Sequence, residues 1–183
     1  MKWLIGFFLL GLMTGAHIHD HQHLIGTKAP ELTIESWLNV DKDWEQQSTF
    51  QNKVLLIRWW TGPFCPFCRN SAAALQTWQH RYQNQDFQVI GLYHHKSRQP
   101  FSMEDIDTLG EELGYDFPIG IDKRWENLKQ WWLDRVPDAG FTSVSFLVDR
   151  HGIIRYIHPG GEYVKGDGQY EELEEAIEKV LRE

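Results

Sequence analysis

Cysteine is scarce in this chain, because Cys65 and Cys68 are the only two among 183 residues. Small exported domains often depend on several disulfides, and a single pair cannot supply such a scaffold. A structural zinc site needs four ligands, usually two Cys or His pairs at regular spacing, and no second Cys pair exists. The two cysteines are therefore expected to do chemistry, while the core is held together without disulfide cross-links.

Clustered positive charge is also absent. The chain has 18 Lys and Arg against 26 Asp and Glu, a formal charge of −8, and no basic stripe. This balance argues against nucleic acid and anionic membrane surfaces as partners. The acidic run at 171–175 is interpreted as the solvated face of a terminal helix.

No apolar run reaches the ~20 residues that span a bilayer comfortably. The N-terminus instead has Lys2, an apolar stretch over 3–13 and the small residues 14–16. This pattern is typical of a secretory signal peptide, and we expect cleavage after Ala16. The chain is thus predicted to be exported, either periplasmic or secreted, with membrane anchoring through an uncleaved leader as the alternative.

A histidine-rich segment at 17–25 follows the leader, and a single domain is predicted over 26–183. Alternating histidines occupy positions His17, His19, His21 and His23. After cleavage, the free amine of His17 and the ring of His19 could bind Cu(II) with backbone nitrogens. A flexible polar tail is the favoured interpretation of so short a tract.

The two cysteines lie between a strand and a helix. A continuous apolar run at 54–60 predicts a buried strand, and the sequence from 69 onward predicts a helix. The partial positive charge of a helix start stabilises a thiolate on Cys65, and Cys68 is close enough to form a disulfide with it. A purely structural disulfide would gain little, since so short a loop removes little entropy on closure.

The remaining elements alternate along the chain and predict an α/β sandwich with a mixed sheet. An early edge strand is expected near 32–34 and a helix from the cysteines to about 83. Further strands are expected at 87–93 and 117–121, helices at 102–114 and 123–133, a late hairpin over 142–157 and a closing helix at 170–182.

With the dithiol at this turn, the chain resembles the TlpA/ResA-like thiol–disulfide oxidoreductases of the thioredoxin superfamily. The matching stretches are 26–32, 55–69, 87–93 and 146–152. The resemblance covers about 24–183 and implies a thioredoxin-like fold: a mixed central sheet flanked by helices, with a helical insertion before the late hairpin. It also implies exchange with protein thiols and disulfides, an upstream redox donor, and no cofactor beyond the cysteine pair.

The sequence departs from the family pattern at three places, and each affects which family properties can be expected of this chain. Phe64 stands where the family usually has tryptophan, with an extra residue within 61–63. Ser143 occupies the usual position of a cis-proline facing the dithiol, and we expect a trans bond because a non-proline cis bond costs ~3 kcal/mol. Arg58 lies near the position of a buried acid in thioredoxins, and a cation there would favour thiolate. The direction of electron flow is therefore open, with reductase favoured by the resemblance.

In the expected mechanism, Cys65 attacks a substrate disulfide and Cys68 resolves the mixed disulfide. Pro66 and Phe67 tune the strain and solvation of the pair. By resemblance to the family loop, Thr142 and Ser143 contact substrate through backbone groups.

His94 and His95 follow the strand at 87–93, at the sheet edge that presents the cysteines in an open α/β fold. One of them could shuttle protons or join the dithiol as a metal ligand. The alternative is a strand-end histidine in water, with its neighbour packed against the sheet.

Two other functions compete with disulfide exchange. The first is a copper-handling binding module that uses Cys65, Cys68 and a histidine from 94–95, because thiolates favour Cu(I). The second is peroxide reduction, which lacks support because Thr61 lies four residues before Cys65 rather than three.

Overall fold

A computed structural model describes residues 21–41, 44, 50–62, 64–99 and 101–183. The predicted leader at 1–16, His17 and His19 lie outside the described residues. Within those ranges, no helix has the length and apolar character needed to cross a membrane.

The core of the fold is a mixed sheet of six strands in the order β1-β4-β3-β2-β5-β6. The parallel pairs are β2 with β3 and β3 with β4, whereas β1 with β4, β2 with β5 and β5 with β6 are antiparallel. This arrangement confirms the α/β prediction. The strands are β1 (Trp37–Leu38), β2 (Val54–Trp60), β3 (Phe87–Tyr93), β4 (Ile119–Ile121), β5 (Ser145–Val148) and β6 (Ile154–His158).

Helices cover both faces of the sheet, and the described residues include four α-helices. These are α1 (Pro66–Tyr82), α2 (Met103–Glu112), the short α3 (Glu126–Leu128) and α4 (Gln169–Arg182), with 3₁₀ turns at Gln22–Leu24 and Lys123–Trp125 and a π-helical turn at Lys129–Leu133. Two apolar clusters result. One lies under α1 and α4, and the other packs the opposite face of the sheet against residues 128–136.

The central strand β2 is apolar apart from Arg58, because both of its faces are covered. Leu56 and Trp60 point into the cluster under α1, whereas Ile57 and Trp59 enter the opposite cluster. The strand thus carries the chain through the middle of the core and delivers it to the cysteines at its carboxyl end.

Local signals set most helix boundaries as predicted. Ser102 caps α2 with a reciprocal capping box, in which its hydroxyl accepts from the Asp105 amide while the Asp105 carboxylate accepts from the Ser102 amide. Helix α1 ends at Tyr82, one residue before the expected end.

The early edge strand differs in position from the prediction. It lies at Trp37–Leu38 rather than near 32–34, and Trp37 pairs with Gly120 of β4. The missing side chain of Gly120 leaves room for Trp37 and Ile34, both within 3.1 Å of where a Cβ would stand. A partner glycine more than 80 residues away therefore decides which residues form the strand.

The helix expected at 123–133 is broken into three short turns. Arg124 and Trp125 have φ angles of 57° and 62°, in the left-handed region that interrupts an α-helix. The Asp122 carboxylate then accepts hydrogen bonds from the backbone N–H groups of Asn127 and Leu128. The helical conformation resumes there as α3.

Candidate active site

The cysteine pair sits at the first turn of α1. Cys65 is the N-cap residue with extended backbone, and Pro66 occupies the first helical position, where its fixed φ suits a helix start. Cys65 and Cys68 are joined as a disulfide, with their Cα atoms 5.3 Å apart. The Cys68 amide donates to Cys65 Sγ at 3.2 Å. The same N–H and the positive end of the helix would stabilise a Cys65 thiolate after reduction.

The two sulfurs differ in access. Cys65 is half-buried and lines an open groove, whereas Cys68 is 1% exposed and packs in the apolar cluster with Trp60. An incoming thiolate or disulfide therefore reaches Cys65 first.

An apolar groove of about 330 Å³ runs beside Cys65. Phe64 is 88% exposed at its rim, where the family pattern has tryptophan, and the rings of Phe67 and Phe141 meet edge to face at 5.6 Å. Lys96 supplies a cation, and burial lowers the pKa of its ammonium. The full lining is Thr61, Gly62, Phe64, Cys65, Pro66, Phe67, Tyr93, Lys96, Ser97, Phe101, Gly140, Phe141, Thr142 and Ser143.

Thr142 and Ser143 line the same groove as Cys65. The described residues contain no cis peptide bond, so the bond before Ser143 is trans, as predicted. Just before β5, the Val144 carbonyl accepts a hydrogen bond from the Trp59 amide at 3.0 Å. This bond joins the end of the loop to β2.

His94 and His95 have different surroundings. His94 is fully buried, and its Nε2 lies 3.2 Å from the Thr142 carbonyl oxygen. His95 is half-buried, with Nδ1 at 3.0 Å from the Tyr93 hydroxyl and Nε2 at 3.3 Å from Ser97 Oγ. In the part of the chain that the structure describes, neither ring is hydrogen-bonded to a cysteine sulfur.

Arg58 is fully buried on the α1 side of β2. Its guanidinium donates to Gly161 O at 2.7 Å and to Ser145 Oγ at 3.3 Å, and it lies 4.9 Å from the centre of the Tyr163 ring. No carboxylate of the described residues forms an ion pair with it. Burial and the positive charge of Arg58 lower the pKa of nearby His158 to about 4.

The Arg58 neighbourhood connects to the dithiol helix through Tyr163. The Tyr163 amide donates to Ser71 Oγ at 3.2 Å, and Ser71 is one turn beyond Cys68 on α1. Sequence reasoning identified the arginine but not Tyr163 or Ser145, since no local pattern links residues about 90 to 100 positions apart.

For Cys65 and Cys68 with His94 or His95, the described residues show no metal-binding cluster. The described residues contain no group of three or more His, Cys, Asp or Glu side chains that could hold a metal ion. His17 and His19 are outside the described ranges, so the amino-terminal copper hypothesis stays a prediction.

A six-stranded mixed sheet with a cysteine pair at the start of the helix after its central strand defines a thioredoxin-like redox site. The sequence of residues 25–157 matches the family model of AhpC/TSA proteins, and the chain belongs to that family. The resemblance to TlpA/ResA-like proteins of the thioredoxin superfamily is thereby confirmed.

Curated and solved relatives agree with this assignment. Over 142 residues the chain is 30% identical to the thiol:disulfide interchange protein DsbE of Escherichia coli K12, an alignment covering 75% of this chain and 66% of that protein. The structure matches a putative DsbE from Chlorobium tepidum with a TM-score of 0.65 at 22% identity, covering 86% of this chain and 97% of the other. It matches a putative protein disulfide isomerase from Bacteroides thetaiotaomicron with a TM-score of 0.64 at 25% identity, covering 87% and 91%.

Proposed function

We propose that this chain is an exported thiol–disulfide oxidoreductase that exchanges disulfides with protein substrates. The observation that carries the proposal is the asymmetry of the cysteine pair. Cys65 faces a groove at a helix N-terminus, whereas Cys68 is buried behind it. This arrangement separates an attacking sulfur from a resolving one, and the relatives named as interchange proteins have the same fold.

In the reductase direction, the Cys65 thiolate attacks one sulfur of a substrate disulfide. The substrate S–S bond breaks, a mixed disulfide forms, and the first substrate sulfur leaves as a thiolate that takes a proton. The Cys68 thiolate then attacks Cys65 Sγ and releases the second substrate sulfur. Two electrons have moved from the dithiol to the substrate, and an upstream dithiol donor restores the pair.

The groove provides the docking surface for the substrate chain. Phe64, Phe67 and Phe141 offer exposed aromatic area beside the sulfur, and aromatic side chains contribute much of the energy of protein interfaces. Across the groove, no hydrogen bond among the described residues uses the Ser143 amide or carbonyl. We assign that backbone, together with Thr142, to contacts with an extended substrate segment.

We place the protein outside the cytoplasm on the strength of its N-terminal pattern. Residues 1–16 serve as a signal peptide, 17–25 as a histidine-rich lead-in and 26–183 as the redox domain. An uncleaved leader would anchor the same domain to the membrane.

Reduction of insulin by the mature chain, with dithiothreitol as electron donor, tests the activity. Cys65→Ser should abolish catalysis, whereas Cys68→Ser should retain attack and accumulate a mixed disulfide at Cys65, visible by mass spectrometry. Turnover retained by Cys65→Ser would overturn the mechanism. Stoichiometric Cu(I) binding with negligible exchange would favour the copper-handling alternative.

A further inference from the structure

The loop at 141–144, whose residues 141–143 line the groove beside Cys65, is held by three hydrogen bonds to its backbone. The donors come from the π-helical turn, from the residue after β3 and from β2, and all three acceptors are carbonyl oxygens. The bonds run from Trp132 Nε1 to Phe141 O at 2.9 Å, from His94 Nε2 to Thr142 O at 3.2 Å and from Trp59 N to Val144 O at 3.0 Å. Among the described residues, no hydrogen bond uses the backbone of Ser143, and Ser143 lines the groove.

The chemical state of His94 follows from its partners. A carbonyl oxygen only accepts, so Nε2 carries the proton and donates it to Thr142. Nδ1 is buried and has no hydrogen-bond partner among the described residues, as suits the neutral ring. Burial lowers the pKa of His94 to about 3, and the electrostatic effect of the neighbouring Lys96 acts in the same direction. The hydrogen bond to Thr142 therefore directs the Nε2 proton at the loop.

The His94 ring is itself fixed by an unusual turn. Trp125, in the left-handed region, lays its indole over the His94 ring with centroids 5.2 Å apart and planes at 30°. The same indole N–H donates to the His95 carbonyl at 2.8 Å. Non-glycine residues in this region cost free energy and persist where surrounding contacts determine them.

We propose that His94 is a positioning residue that fixes the Thr142–Ser143 loop for docking of protein substrates. It supplies through a side-chain hydrogen bond the constraint that this loop lacks with Ser143 in place of a proline. It acts on the loop and not on the sulfurs, so it affects substrate binding more than disulfide chemistry. The inference rests on the proposed oxidoreductase function.

Two substitutions separate the hydrogen bond from the packing of the ring. His94→Phe keeps a ring against Trp125 and removes the donor, whereas His94→Gln keeps an N–H donor and removes the ring. His151→Ala, an exposed histidine on the distant hairpin turn, is the control. For each variant, circular dichroism establishes folding. The KM and kcat for insulin, the rate with glutathione disulfide and the equilibrium constant with glutathione are then measured.

We expect His94→Phe to raise the KM for insulin about tenfold, the effect of one lost hydrogen bond. Its kcat, its rate with glutathione disulfide and its equilibrium constant should stay within about twofold of the parent. His94→Gln should recover most of the insulin KM. An unchanged KM in His94→Phe, equal losses in both variants, or a parallel loss with glutathione disulfide would overturn the inference. Failure of the parent chain to reduce insulin would instead overturn the proposed function.

Discussion

Asp122 offers the sharpest test of how the fold supports the site, because one buried carboxylate organises several donors. It is 2% exposed and follows β4. Oδ2 accepts from Trp59 Nε1 at 2.9 Å and the Leu128 amide at 2.8 Å, whereas Oδ1 accepts from the Asn127 amide at 2.9 Å and the Asn127 side chain at 3.1 Å. The carboxylate thus links β2 to the turn that carries Trp125 over His94.

Asp122→Ala would leave three firmly placed donors, the indole and two backbone amides, buried without an acceptor. At ~1–2 kcal/mol each, the lower part of the range for an unsatisfied buried group, the loss of unfolding free energy is ~3–6 kcal/mol. For a chain of this size, such a loss lowers Tm by roughly 6–24 °C. Asp122→Asn keeps one acceptor oxygen and turns an NH₂ toward the other donors, so about half of the loss is expected.

Urea unfolding followed by tryptophan fluorescence measures these differences with the m-value fitted for each variant. Asp138→Ala, an exposed aspartate in the segment before β5, is the matched control and should change stability by less than ~0.5 kcal/mol. A loss below about 1 kcal/mol in Asp122→Ala would refute the reasoning, because the orphaned donors would then have found other partners.

Two buried histidines, a glycine with positive φ and the buried Arg58 each have a measurable effect. The pKa values of His94 and His158, about 3 and about 4, lie below the unfolded value of 6.5. Unfolding therefore takes up protons below pH 6.5, and the folded state loses stability as the pH falls. Urea titrations from pH 7 to 4 should show the free energy of unfolding falling below pH 6.5 by about 1.4 kcal/mol per pH unit for each histidine. A pH-independent stability over that range would contradict this. Gly114→Ala should destabilise by about 1 kcal/mol more than Gly166→Ala, since both have positive φ but only at Gly114 would a Cβ displace a side chain, that of Gln76, and break its hydrogen bond to Leu113 O; equal losses by calorimetry would show that this hydrogen bond does not matter. Arg58→Met should raise the thiol pKa of the reduced pair, because it removes a buried cation that favours the thiolate; an unchanged or lower pKa from alkylation rates against pH would exclude that influence.

Much of the framework was predictable because its signals are local. The continuous apolar runs of β2 and β3 and the capping serine of α2 each contain their structural reason within a few residues. The placement of Cys65 at the helix start is of the same kind, since strand, turn and helix are adjacent in the chain.

The parts that could not be predicted depend on distant partners. The position of β1 follows from Gly120 opposite Trp37, and the broken helix after β4 follows from the left-handed Arg124 and Trp125, whose conformation no propensity favours. The histidine pair was recognised as belonging near the site. Its expected role in proton or metal chemistry depended on neighbours that the sequence does not reveal.

At Ser143, before β5, one feature was predictable from the sequence and another was not. A trans bond at Ser143 was predictable from the cost of a cis bond before a residue other than proline. The compensating contact, from a histidine 48 residues earlier, was not, because it arises only when the end of β3 and the loop before β5 meet at one sheet edge.

The reduction potential of the Cys65–Cys68 pair shows whether the two cysteines form a redox-active dithiol. The mature chain would be equilibrated in glutathione buffers and its free thiols counted after acid quenching and alkylation. The account predicts one reversible two-electron transition between about −120 and −270 mV, the range of thioredoxin-fold oxidoreductases, with a value near −270 mV supporting the reductase direction. A pair that never cycles, or one that stays oxidised below about −300 mV as structural disulfides do, would contradict it.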